Sequence, residues 1–164
     1  MALDTTIGGA LTDSYATLAE LNAYATAMGW TLTATDAAKE VAMRRSAVAL
    51  DGSYGFIGIR TYQTQERAWP RLWYGLVEGW PVASGTIPEP VKNAQIELAY
   101  VILTGADPLA SYDGAVASEK VKAGPVEAET VYAGGKARTR YTAVDRIIAP
   151  YTVRGAGQVR MVRG

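Results

Sequence analysis

The chain contains no cysteine and no histidine. Without cysteine there is no disulfide, no thiolate nucleophile and no sulfur-based zinc site. Without histidine there is no imidazole general base. An all-carboxylate metal site or a carboxylate pair remains open in principle. Asp4, Asp13, Asp107 and Asp113 fall in turn-like segments with no metal-ligand spacing, and read as solvated turn residues. The expectation is a protein that is not an enzyme, with no catalytic residue, no cofactor and no metal ligand.

Long apolar runs are also missing: none approaches the roughly 20 residues that cross a bilayer, so no membrane partner is expected. The N-terminus shows neither the basic start nor the apolar stretch of a secretory signal, which makes a cytoplasmic origin the expectation. There is no internal repeat and no low-complexity block. The glycine-bearing end "RGAGQVRMVRG" lacks the Gly-Lys-Ser/Thr ending of a phosphate loop and any strand–loop–helix context. With 164 residues, 49% apolar and 20% charged, the composition suits one ordinary globular domain.

Opposite charges balance, but unevenly along the chain. Residues 1–133 hold 9 Lys and Arg against 15 Asp and Glu, a net −6; residues 134–164 hold 7 basic residues against Asp145 alone, a net +6. A basic end on an acidic body is a statement about partners rather than fold.

Hydrophobic spacing predicts four helices. Thr17 with Glu20 forms a capping box for a helix over 17–28, with Leu18, Leu21, Ala25 and Met28 at helical spacing and Gly29 closing it. A second helix over 36–50 carries Ala38, Val41, Ala42 and Val48 on its apolar side and stops at Asp51-Gly52. A third, over 90–104, starts at Pro90, buries Val91, Ala94, Leu98 and Val101 or Ile102, and leaves Asn93, Gln95 and Glu97 off the stripe. A fourth over 141–149 carries Val144, Ile147 and Ile148 and is stopped by Pro150. Two short segments around Ala123-Gly124-Pro125 predict a β-arm over 119–132, and 151–164 reads as an extended tail. The fold class is thus mainly α: a small bundle of about four helices with a β-hairpin arm and an extended C-terminal tail. In one domain over 1–164, the helical core covers about 14–110, the arm about 116–133, and the last helix and basic tail about 140–164.

"TQERAWPRLWYGLVEGWP" (64–81) crowds three of the four tryptophans among arginines. "TQERAW" predicts one helical turn ending at Trp69, since a residue before proline is pushed out of the helical region. From Trp73 to Pro88 the pattern predicts a loop. The rings suit three roles: core packing, a protein interface, or base stacking with Arg67 and Arg71 on phosphates. Glu66 and Glu78 cancel those arginines, whereas a strand-binding groove wants a positive excess. Trp69, Pro70 and Arg71 are therefore expected as a fold-defining corner on the long helix. The candidate protein-interface residues are Trp73, Tyr74 and Trp80, with Arg138, Arg140, Arg154, Arg160 and Arg163 of the basic end.

Several stretches, in order, resemble a tailed-phage protein family labelled "DnaT-like" and associated with head–tail connector, or adaptor, proteins. They are "DSYATLAELNAYATAMGW", "ALDGSYGFIG", "QERAWPR", "IPEPVKNAQIELA", "EKVKAGPVEAETVY" and "YTAVDRIIAPY". The stretch between Arg71 and Ile87 is longer and more aromatic than that pattern. The resemblance implies a mostly helical adaptor in a ring of roughly twelve copies beneath the portal protein. Genomic double-stranded DNA would pass through its channel without sequence-specific binding, and a stopper or tail-terminator protein would dock on the far side. It would belong to the head–tail junction of the virion, and to the host cytoplasm during assembly. The family label also implies an alternative, single-stranded DNA binding in a primosome-like role. Ring closure is a head-to-tail contact needing two different matching faces, and an acidic body with a basic end supplies such a pair.

Overall fold

Thr17 opens the first helix through its local chemistry. Its hydroxyl accepts the Glu20 N–H at 3.2 Å while the Glu20 carboxylate accepts the Thr17 N–H at 2.6 Å, so two orphan donors are satisfied at the start of α1 (Leu18–Ala27). Past its end, Gly29 takes the left-handed conformation (φ +71°) that a side chain would resist. These details come from a computed structural model. It describes residues 2–72, 75–110 and 141–153 in full, and 116–122 and 127–132 as backbone.

The second helix, α2 (Asp36–Ser53), starts at the Thr35 cap but runs through Asp51-Gly52, where the sequence predicts a stop. Asp51 does not turn back on its own backbone. Its carboxylate accepts the Tyr15 hydroxyl and the Ala68 N–H (3.2 Å), and these tertiary bonds hold the last turn helical. Apart from Ala42, the buried side also differs from the predicted one. Ala42, Met43, Ser46, Ala47, Ala49 and Leu50 face inward, whereas Ala38 is exposed, as are Val41 (53%) and Val48 (45%). Small residues win the inner face because α2 packs along α3, and small side chains let two helices approach closely.

After α2 the chain is irregular. Two short antiparallel pairs form there: β1 (Ile59–Arg60) with β2 (Arg71–Leu72), and β3 (Leu76–Val77) with β4 (Trp80–Pro81). The second pair, in a segment expected to be loop, is a tight hairpin. Glu78 (φ +52°) and Gly79 (φ +89°) supply the two left-handed residues such a turn demands. The helical turn expected before Trp69 does not form, because the Gln65 side chain donates to the carbonyls of Arg67 (2.8 Å) and Pro70 (3.0 Å) and holds the segment bent.

The long helix α3 (Glu89–Leu103) has Pro90 in its second position and closes at Gly105 (φ +102°). Between β4 and the last helix lies the longest strand pair, β5 (Val116–Lys122) antiparallel to β6 (Glu127–Tyr132). Its register sets Lys120 opposite Glu129 and Val121 opposite Ala128, with an irregularity between Val116 and Ser118. Then α4 (Thr142–Ile148) runs into a 3-10 turn (Ala149–Tyr151), where Pro150 sits. The fold is mainly α, with four helices and small antiparallel hairpins among the described residues. Two compact units divide the chain: residues 1–108 with 141–164, and residues 109–140, which hold β5 and β6.

Within the first unit, α3 lies against α2 and α4, and two apolar clusters form. One gathers Trp69, Phe56, Leu50, Val91, Leu98, Ile148 and Tyr151. The other gathers Leu21, Met43 and Ile96, with Trp30 stacked on Tyr100 at a 4.0 Å centroid separation. Between them lies Gln95, expected off the stripe but fully buried. Its carbonyl oxygen accepts the N–H groups of Tyr15 (2.9 Å) and Ala16 (3.1 Å), and its amide donates to Ser14 Oγ and Met43 O (2.8 Å each).

Candidate functional site

The aromatic, arginine-rich segment divides into a buried half and an exposed half. Trp69 is 1% exposed, with Phe56 and Tyr151 meeting its ring edge-on at 5.8 and 5.9 Å. Its indole N–H has no hydrogen-bond partner among the described residues, so packing holds the ring, while its backbone N–H donates to the Tyr15 hydroxyl at 3.3 Å. Pro70 is buried beside it, joined by a cis peptide bond.

Arg71 turns back beneath this pair. Its guanidinium donates to the carbonyls of Ile57 (2.8 Å), Ala68 (3.1 Å), Phe56 (3.2 Å) and Gly58. Four carbonyls of an irregular stretch thus gain partners that no strand ladder supplies. Burial, with Arg60 nearby, lowers the Arg71 pKa from its usual range. Arg67 is spent in the same way: it donates to Thr12 O (3.1 Å), Asp51 (3.5 Å) and Glu66 (3.0 Å). Around Asp51, burial raises the carboxyl above its ordinary pKa against the pull of its Tyr15, Ala68 and Arg67 contacts. Tyr15 is pushed well above a normal phenol by burial, then by the Asp51 charge.

Of the turn acids, Asp13 is no solvated residue. It pairs with Arg44 at 2.6 Å and accepts the Asp4 N–H at 2.8 Å, tying the first residues to α2. Asp107 pairs with Arg45 at 2.8 Å. Among the described residues no group of three acids gathers as a metal site would require, and no helix is long and apolar enough to cross a membrane.

The exposed half begins at the β3–β4 hairpin. Trp80 is 77% exposed and stands over an open cleft of about 300 Å³, walled by Val77, Val82, Pro88, Pro90 and Tyr151. Trp73, Tyr74, Arg138, Arg140, Arg154, Arg160 and Arg163 lie outside the described residues, as does Asp113. Sequence spacing missed Gln95, Asp51 and Tyr151. For Gln95 there was a signal, since it sits four residues after Val91 and beside Ala94 on the face that packs.

These features define a small mainly α protein whose central arginines stitch its own backbone, with an aromatic cleft beside the third helix. A family model described as "Putative DnaT-like ssDNA binding protein" matches residues 1–164, and the chain belongs to that family. No curated protein and no solved structure matches the chain.

Proposed function

We propose that the chain is an adaptor of a tailed-phage head–tail junction, which acts by assembly and not by catalysis. Copies form a ring beneath the portal protein and receive a stopper or tail-terminator protein. The observation that supports this reading is where the arginines go. Arg67 and Arg71, the cations of the aromatic segment, are consumed on backbone carbonyls and internal carboxylates. They act as scaffold, while the +6 segment 134–164 is left as the docking charge against a −6 body. The test is negative-stain imaging of the chain mixed with purified portal. Rings capping the portal are expected, and a portal that stays bare sinks the reading.

The family's description favours a second reading, single-stranded DNA binding. With Arg67 and Arg71 engaged, the phosphate contacts would fall to the 134–164 segment and the stacking to Trp80. Micromolar binding of an oligonucleotide would then weaken steeply with salt, by a slope of roughly −0.7 per phosphate neutralised, and Trp80→Ala would weaken it further. A flat titration at low salt removes this reading and leaves the adaptor standing.

A further inference from the structure

We propose that the cleft beneath Trp80 receives residues 154–164 of a neighbouring copy. This rests on the adaptor reading, because closing a ring is what brings a second copy's end to this face.

The cleft has the chemistry of a peptide groove. Its walls are apolar, and Pro88 and Pro90 carry no backbone N–H that would bind water. Trp80 presents a large ring that the chain's own packing leaves bare. Two carboxylates border the site: Glu89 lines it, and Glu78 lies close enough to Tyr151, one of the walls, to raise its phenol after burial has done so. Both are exposed, and no described lysine or arginine forms an ion pair with either. An apolar slot rimmed by two exposed carboxylates that no described cation pairs with calls for an occupant that alternates apolar and cationic side chains.

Residues 154–164, "RGAGQVRMVRG", have that pattern. Arg154, Arg160 and Arg163 meet no acid within the segment, and Val159, Met161 and Val162 lie between the arginines. Eleven residues reach up to about 36 Å when extended. The segment follows directly on Val153, whose N–H is held by Gly55 O at 2.7 Å, so its root is anchored to a folded body. Each copy then carries one donor and one acceptor surface, the heterologous pair that a closed ring requires.

The absence of cysteine makes the test clean. Two full-length variants, Ala83→Cys in the exposed rim of the cleft and Val159→Cys in the segment, are mixed one to one and oxidised. The mixed disulfide is expected in several-fold excess over both homodimers. Glu78→Lys with Glu89→Gln in the Ala83→Cys chain should abolish the excess, and Arg160→Glu with Arg163→Glu in the other chain should restore it. A statistical mixture of products overturns the proposal. So does a chain bearing both cysteines that closes only on itself, since the segment would then serve its own cleft. Rings on the portal without the cross-link reject this groove and keep the adaptor. The cross-link without rings keeps the groove and rejects the portal role.

Discussion

Single side chains tie segments far apart in sequence, and Gln95 shows how much one can carry. It satisfies two backbone N–H groups at the entry to α1 and donates to Ser14 and to a carbonyl of α2, all inside the core. Gln95→Leu keeps the volume but strands those donors in an apolar setting, so a loss of about 2–4 kcal/mol is expected in urea unfolding. Arg71→Lys keeps the charge but cannot fork to four carbonyls, and should cost about 1.5–3 kcal/mol in the same experiment. Buried Tyr15 and half-buried Tyr24 set the alkaline limit. Tyr24 is pushed up to about 12, by burial first and then by its 2.9 Å hydrogen bond to Glu97, and Tyr15 is raised as well. A pKa raised on folding means stability that is whole below the unfolded phenol value of about 10 and drains away as pH climbs through the folded value. Melting temperature should therefore fall between pH ~10 and ~12, and less steeply in Tyr24→Phe.

At the level of elements, α2 separates what hydrophobic spacing can and cannot reveal. Its existence and its start near residue 36 were legible, and the Thr35 cap sets that start locally. Its buried face was not: two valines outweighed a row of alanines in the pattern, yet the alanines fit against α3. Val41→Lys and Val48→Lys should each shift stability by less than about 0.5 kcal/mol, whereas Ala47→Leu should cost about 1–3 kcal/mol by overpacking, both read by thermal unfolding. Loss of stability of that larger size from either valine would restore the rejected face. The β5–β6 pair was legible because two short segments lie either side of Ala123-Gly124-Pro125 in the sequence. The sequence pointed to a corner at Trp69, Pro70 and Arg71, but not to how Arg71 is used there. Nothing local in "AWPR" says that Arg71 will reach back to Phe56, Ile57 and Gly58, since that contact exists only once the loop has closed. The cleft was hidden for the same reason: Tyr151 joins Trp80 across some seventy residues of chain.

For the whole molecule, the division into two units makes a claim about cooperativity. Residues 1–108 and 141–153 share the two apolar clusters, and every core residue of those clusters comes from these stretches. If the helical unit owes its stability to them, residues 109–140 can be exchanged for a Gly/Ser linker at little cost. Loop-closure entropy changes by only about 0.6 kcal/mol per doubling of length. The exchanged chain should keep its helical circular dichroism, the emission of buried Trp69 and a single unfolding transition within about 1 kcal/mol of the parent. Assembly on the portal should nonetheless be lost if the hairpin is the arm that bridges copies, because a ring component fails when either of its two faces is gone. A broadened, non-cooperative transition would instead make the hairpin part of the core. Unimpaired rings on the portal would move the bridging contact off the hairpin and leave it to the Trp80 cleft.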